Sequence, residues 1–249
     1  MIQGLLMAAA GLLLLVWPFL GAEAPPYPPA FGIAAGAVLA IAALEVAARR
    51  LDARGLALLG AVAALDSALR AAFPIGFGGF SPFFFLVLCA GYALGPGFGF
   101  VCGAFAMLAS DLLLGAVGPY IPYQLLAAGL TGALAGVAGA GAGSFRHRTR
   151  GVVLLAAAGA VTGLLFGAIT DVQDWTTFYR GAAGFGWSPG LSPGDALRRF
   201  GEFYLATSLL YDSLRGAGNA LLVLALGPPV IAALTRFGAR LRFEVVADP

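Results

Sequence analysis

Residues 83–100 read FFFLVLCAGYALGPGFGF, with no charged side chain in the stretch. Gly95-Pro96-Gly97 is a turn signal that closes one apolar run and opens the next. Neither half would be wetted on any face, so the surroundings of this segment decide the fold. They are equally apolar: of 249 residues 60% are hydrophobic and 10% charged, and the mean hydropathy is +0.92. A soluble domain carries about 25% charged residues and about 45–50% apolar ones. The excess here is too large for one buried core, so lipid must be the solvent for much of the surface.

A helix that spans a bilayer needs about 20 mainly apolar residues. Eight runs approach that length: Gly4–Leu20, Ala30–Ala48, Gly55–Phe73, Pro82–Gly95, Phe98–Gly115, Ile121–Gly139, Gly151–Thr170 and Phe203–Thr235. The last is long, with a bend expected at Gly227-Pro228-Pro229. Eight spans place Arg49, Arg50, Arg54, Arg146, Arg148, Arg150, Arg236, Arg240 and Arg242 on one side. The positive-inside rule makes that side cytoplasmic, and both termini with it. Arg180, Arg198 and Arg199 then lie outside. The expected product is an all-α, multi-pass protein of the cell membrane folded as a compact bundle. A rival reading of the start takes Leu5–Leu20 and Ala22-Glu23-Ala24 as a secretory signal with a cleavage site. No basic residue precedes that run, which counts against it.

Two outside connections stand out. Pro25, Pro26, Pro28 and Pro29 predict a stiff extended connector over 21–29. Residues 171–202 form a loop of about thirty residues, long enough to be functional. Trp175, Phe178, Tyr179, Phe185 and Trp187 argue against disorder there, and suit an interfacial aromatic belt or a lid over a ligand equally. Small residues recur at helical spacing: Gly91, Gly95, Gly99 and Gly103, then Gly132 and Gly136, then Gly159, Gly163 and Gly167. Such rows let helix backbones approach closely in lipid.

Ionisable groups at membrane depth are expensive, and each asks for a reason. Asp66 and Arg70 share one helix face, as do Asp212, Arg215 and Asn219, with Tyr211 beside them; Asp111 ends its own run. Asp66 with Arg70 and Asp212 with Arg215 are expected to neutralise each other, or alternatively to line a cavity open to the outside. Tyr120, Tyr123 and Gln124 stand on the same side, in Pro119-Tyr120-Ile121-Pro122-Tyr123-Gln124. They offer phenols and an amide to a ligand with rings and polar edges, or form a rigid interfacial turn.

Other chemistries lack their residues. A single His, His147, rules out a histidine cluster, and Cys89 and Cys102 are not spaced for zinc; both read as small core residues without a disulfide. There is no phosphate-binding loop and no nucleophile elbow. The charge of +2 is too weak and dispersed for nucleic acid. No cofactor is expected.

From Leu65 to Gly136 the chain resembles the substrate-binding (S) component of an energy-coupling factor vitamin transporter. The likeness runs through residues 68–72, 83–100 and 118–129, and residues 200–237 resemble that family's last helix. It implies a six-helix core over 51–249, with 1–50 as two additional N-terminal helices. It also implies capture of a vitamin at the outer face, with cobalamin favoured over riboflavin. Uptake would be driven by partner subunits: a membrane coupling protein and two ATPases. The small-residue spacing that contacts the coupling protein in that family is matched by Ala53, Ala57 and Ala61. The expected binding set is Asp66, Arg70, Asp111, Tyr120, Tyr123, Gln124, Trp175, Tyr179, Trp187, Tyr211, Asp212, Arg215 and Asn219. Two other classes stay open: an intramembrane lipid-modifying enzyme using Asp66, Asp111 or Asp212, and an assembly subunit without ligand.

Overall fold

A computed structural model describes residues 2–23, 27–47, 53–73 and 78–240. They form α1 (Ile2–Leu15), α2 (Tyr27–Ala47), α3 (Ala53–Ala72), α4 (Phe83–Leu94), α5 (Pro96–Leu113), α6 (Ile121–Ala142), α7 (Thr149–Thr177), α8 (Pro193–Thr207) and α9 (Leu209–Arg240). No strand forms among the described residues. The helices α3, α5, α6, α7 and α9 are long and apolar enough to cross a membrane, while α1, the Pro29–Glu45 part of α2, and α4 are shorter apolar helices. Large apolar side chains point away from the bundle around its whole girth: Leu39, Leu56, Leu65, Val137, Val161 and Leu221 are each more than half exposed. Only a lipid surround makes such a surface stable, and only helices satisfy their own backbone there. The chain is a polytopic helical membrane protein.

The middle of the bundle is the stretch 83–100. Ten of the twelve residues of α4 are buried, because α3, α5, α6 and α9 pack around it. Gly95, at φ 105°, turns the chain straight into α5. The glycine rows work as close-contact surfaces. A methyl group on Gly91 or Gly99 would overlap the Gly132 carbonyl of α6, one on Gly103 the Ala128 carbonyl, and one on Gly139 the Tyr92 carbonyl of α4. Backbone therefore meets backbone where three helices cross.

One end of the bundle gathers arginines. Arg54 begins α3, Arg148 and Arg150 begin α7, and Arg236 lies near the end of α9. Arg146 does more than carry charge. Its guanidinium donates to the Gly139 carbonyl at 2.9 Å and to the Ala93 carbonyl at 3.4 Å, and lies 5.8 Å from the centre of the Tyr92 ring. It thus serves the free carbonyls at the C-termini of α4 and α6, the negative ends of both helix dipoles. At the same end the Gln3 amide of α1 donates to Glu45 of α2 at 2.5 Å. Arg49, Arg50 and Arg242 lie outside the described residues.

Three expectations need correction. The long outside loop begins later than residue 171, because α7 continues to Thr177. Its far half is a further helix, α8, that no apolar run announces. The run beginning at Phe203 is split: Phe203 belongs to α8, and α9 starts at Leu209. The proline-rich connector also shortens, since Pro28 and Pro29 sit in the first turn of α2, where a missing N–H leaves no bond unmade. Pro228 and Pro229 lie inside α9, which runs on to Arg240.

Candidate functional site

The bundle's polar side chains collect toward the end opposite the arginines. On α3, Arg70 reaches across to α5, donating to Asp111 at 2.5 Å and Ser110 at 2.6 Å and touching the Met107 sulfur at 3.3 Å. The expected Asp66–Arg70 pair is therefore absent. Helical spacing put both on one face, but Asp111 faces Arg70 from the neighbouring helix and wins it. Asp66 is left fully buried, with no hydrogen-bond partner on either carboxyl oxygen.

A second polar seam runs between α7 and α9. Every fourth residue of α7 offers room to one residue of α9. Gly159 accepts the Asn219 amide on its carbonyl at 3.2 Å, and Gly163 meets the backbone of Gly216. Gly167 leaves the space that the Asp212 carboxylate fills. Arg215 pairs with Asp212, as its spacing predicts, and also reaches the Gly163 carbonyl at 3.3 Å. Its guanidinium stands 5.2 Å from the Phe166 ring centre. The same row continues to Asp171, buried beside Ser208, with Asp212, Asp174 and Arg215 within electrostatic range. Tyr204 of α8 looks onto Asp212. Burial first, and the Asp212 charge second, push its phenol up, so it remains a proton donor.

The aromatic residues of the outside segment form neither an open lid nor a simple belt. Trp175 and Trp187 are wholly buried and Trp17 nearly so, with Ala196 and Phe203 in a small core of their own. Trp17 and Trp187 meet edge to face at 5.4 Å, and Phe19 stacks on Trp175 at 5.9 Å. Each indole N–H has an acceptor: Trp17 donates to the Tyr123 hydroxyl at 3.2 Å, Trp175 to the Phe185 carbonyl at 2.7 Å, and Trp187 to the Pro18 carbonyl at 3.2 Å. Tyr179 lies 4.8 Å from the Phe203 ring. Helix α8 is amphipathic. Ser192 caps it by accepting the Asp195 N–H at 3.1 Å, and Arg199 ties it to the Gly186 carbonyl at 2.9 Å. The segment is thus a folded cap on the polar end.

Other expected residues fall as follows. Tyr123 is buried at the start of α6, and Tyr120 is partly buried against the main core. Gln124 keeps an unpartnered Oε1. Tyr211 points outward, 54% exposed, away from the polar seam that its neighbour Asp212 joins. Ala53, Ala57 and Ala61 all lie on the outward face of α3. Ala61 also lines an apolar surface groove of about 350 Å³ between α3 and α9, with Leu58, Leu65, Pro229 and Ala233.

Sequence reasoning missed Asp171, Tyr204 and Ser208 as members of the polar set. A signal existed: Asp171 and Trp175 extend the Gly159, Gly163, Gly167 row at the same spacing. Among the described residues no group of three His, Cys, Asp or Glu is placed to hold a metal ion. No family model matches the chain, and no curated protein or solved structure matches it.

Proposed function

We propose that this protein is a membrane-embedded binding component that captures a small organic ligand at its capped end, for import by partner subunits. One observation carries the reading. Among the described residues, buried polar side-chain atoms without hydrogen-bond partners gather toward the cap, on Asp66, Ser67, Asp111, Gln124, Asp171, Gln173, Arg199, Asp212 and Asn219, with Thr235 alone near the arginine end. Buried polar groups are normally satisfied, and a concentration of unsatisfied ones marks a place built to meet something else. The resemblance of residues 65–136 and 200–237 to energy-coupling factor S components supports a vitamin as that ligand. With the arginine end cytoplasmic by the positive-inside rule, the capped end faces out and both termini face in. The partners would then be a coupling subunit at the outward face of α3 and two ATPases. Of the carboxylates an enzyme reading would use, Asp111 and Asp212 are each held by an arginine, which leaves Asp66 alone for the role. A general base must be free to take a proton.

The test is a mass and absorbance spectrum of the detergent-purified protein, followed by titration with cobalamin and with riboflavin. Saturable one-to-one binding of either, weakened at least tenfold by Gln124→Ala with Asn219→Ala, supports the reading. Binding untouched by that pair would move the site elsewhere.

A further inference from the structure

Two carboxyls, Asp66 and Asp111, compete for one guanidinium. Arg70 follows Asp66 by one helical turn, within ordinary reach of it, yet spends its donors on Asp111 and Ser110. The elements packed most closely on α3 are α5 and α4, and α9 faces it across the groove with apolar residues only. Toward Asp66, α4 and α5 bring the thiols Cys89 and Cys102, both buried and free, and no cation. Ser67, the adjacent hydroxyl, makes no bond to it. An ionised carboxylate in such a place would carry its full desolvation penalty with nothing to offset it.

We propose that Asp66 is a proton-binding site inside the membrane, carrying its proton whenever Arg70 is paired with Asp111. The balance is simple. If Arg70 turns back by one helical turn onto Asp66, the Asp66 O–H releases its proton and the freed Asp111 carboxylate takes one up. The net charge of the three groups stays the same, so the exchange moves a proton from one helix to the next without stranding an ion. Nothing in this depends on which ligand the capped end binds, or on whether it binds one.

A hydrophobic carbodiimide reads the acid form directly. The carboxyl O–H adds across one C=N bond, with its proton going to nitrogen and its oxygen to carbon. An oxygen-to-nitrogen acyl shift then leaves a stable N-acylurea. The purified protein is treated with dicyclohexylcarbodiimide at pH 7 and mapped by peptide mass. The expected result is modification at Asp66 and none at exposed Asp195 and Glu202, each of which Arg198 holds in an ion pair. Asp66→Asn abolishes the label at that position, and Arg70→Gln adds Asp111 as a further labelled position. Label at Asp111 or on either thiol with Asp66 untouched would overturn the proposal. A readout that needs no reagent access runs beside it. The infrared carbonyl band of a protonated carboxylic acid should be present at pH 7 and reduced in Asp66→Asn, whose melting temperature should match the parent. An unchanged band would overturn the proposal as well.

Discussion

Replacing Trp187 by Ala should open the cap while leaving the bundle folded. Trp187 has no exposed surface. It meets Trp17 edge to face at 5.4 Å, donates to the Pro18 carbonyl at 3.2 Å, and carries Arg180 5.1 Å from its ring centre. Trp→Ala in a packed core costs about 3–5 kcal/mol, counting lost transfer and the residual cavity. The edge-to-face pair accounts for about 1 kcal/mol of that, and the stranded Pro18 carbonyl can turn to water at this end. We take about 4 kcal/mol, nearly a thousandfold in the opening equilibrium at about 1.4 kcal/mol per tenfold. Amide hydrogen exchange in detergent resolves where the change falls. The Gly181 N–H bonds the Trp187 carbonyl at 2.8 Å and the Gly190 N–H bonds the Gly21 carbonyl at 3.2 Å. Both should exchange several hundredfold faster or more, while amides in the middle of α5 and α6 keep their protection. Trp187→Phe, which keeps a ring but no donor, should lose only about 1–2 kcal/mol. Exchange at Gly181 raised less than threefold, or an equal rise throughout α5 and α6, would refute a cap that is a separate packing unit.

Three further outcomes follow from the packing and charges. Arg70→Gln should destabilise the protein by about 3–5 kcal/mol by stranding Asp111, whereas adding Asp111→Asn should recover most of the loss. Additive effects in that cycle, measured by thermal unfolding in detergent, would mean the two groups do not interact. Gly132→Ala should lower stability by about 1–3 kcal/mol, because its new methyl overlaps the Gly99 carbonyl. Gly60→Ala, on the same scale, should be neutral or favourable, as its side has open space. Asp195 is held below the usual carboxylate range, first by the Ser192 hydroxyl, with burial opposing and Arg198 and Arg199 adding to the lowering. A depressed folded value contributes stability above the unfolded pKa and loses it as pH falls through the folded one. Protection of the α8 amides should therefore be constant from pH 7 down to about 4 and fall below that. Ser192→Ala should remove most of this pH dependence.

The sequence carried the helices and the packing rows well, because both depend on periods within one element. Residues 83–100 and the Gly91, Gly99, Gly103 row could be read for what they are: apolar length and small size are properties of the chain itself. The partner of Arg70 could not be read in the same way. Spacing says that Asp66 shares its face, but not that α5 brings Asp111 closer. Helix α8 is not visible as an apolar run because Arg198, Arg199 and Glu202 lower its hydropathy, and only its amphipathic period marks it. The apolar run of α7 ends at Thr170 for a related reason. Asp171 and Asp174 look like a loop by polarity, yet no glycine or proline interrupts the helix until Gly181. The aromatic residues were recognised as too many for a linker. Their burial against Trp17 is a long-range contact across the chain that no local pattern encodes.

Binding of a small organic molecule at the capped end is read out by the molecule itself. Native mass and absorbance spectra of the purified protein, followed by calorimetric titration with cobalamin and riboflavin, should give one ligand per chain with submicromolar affinity. Absence of a co-purified species together with no saturable heat for either vitamin would contradict the vitamin-capture account, leaving a polytopic bundle whose unsatisfied polar end serves another purpose.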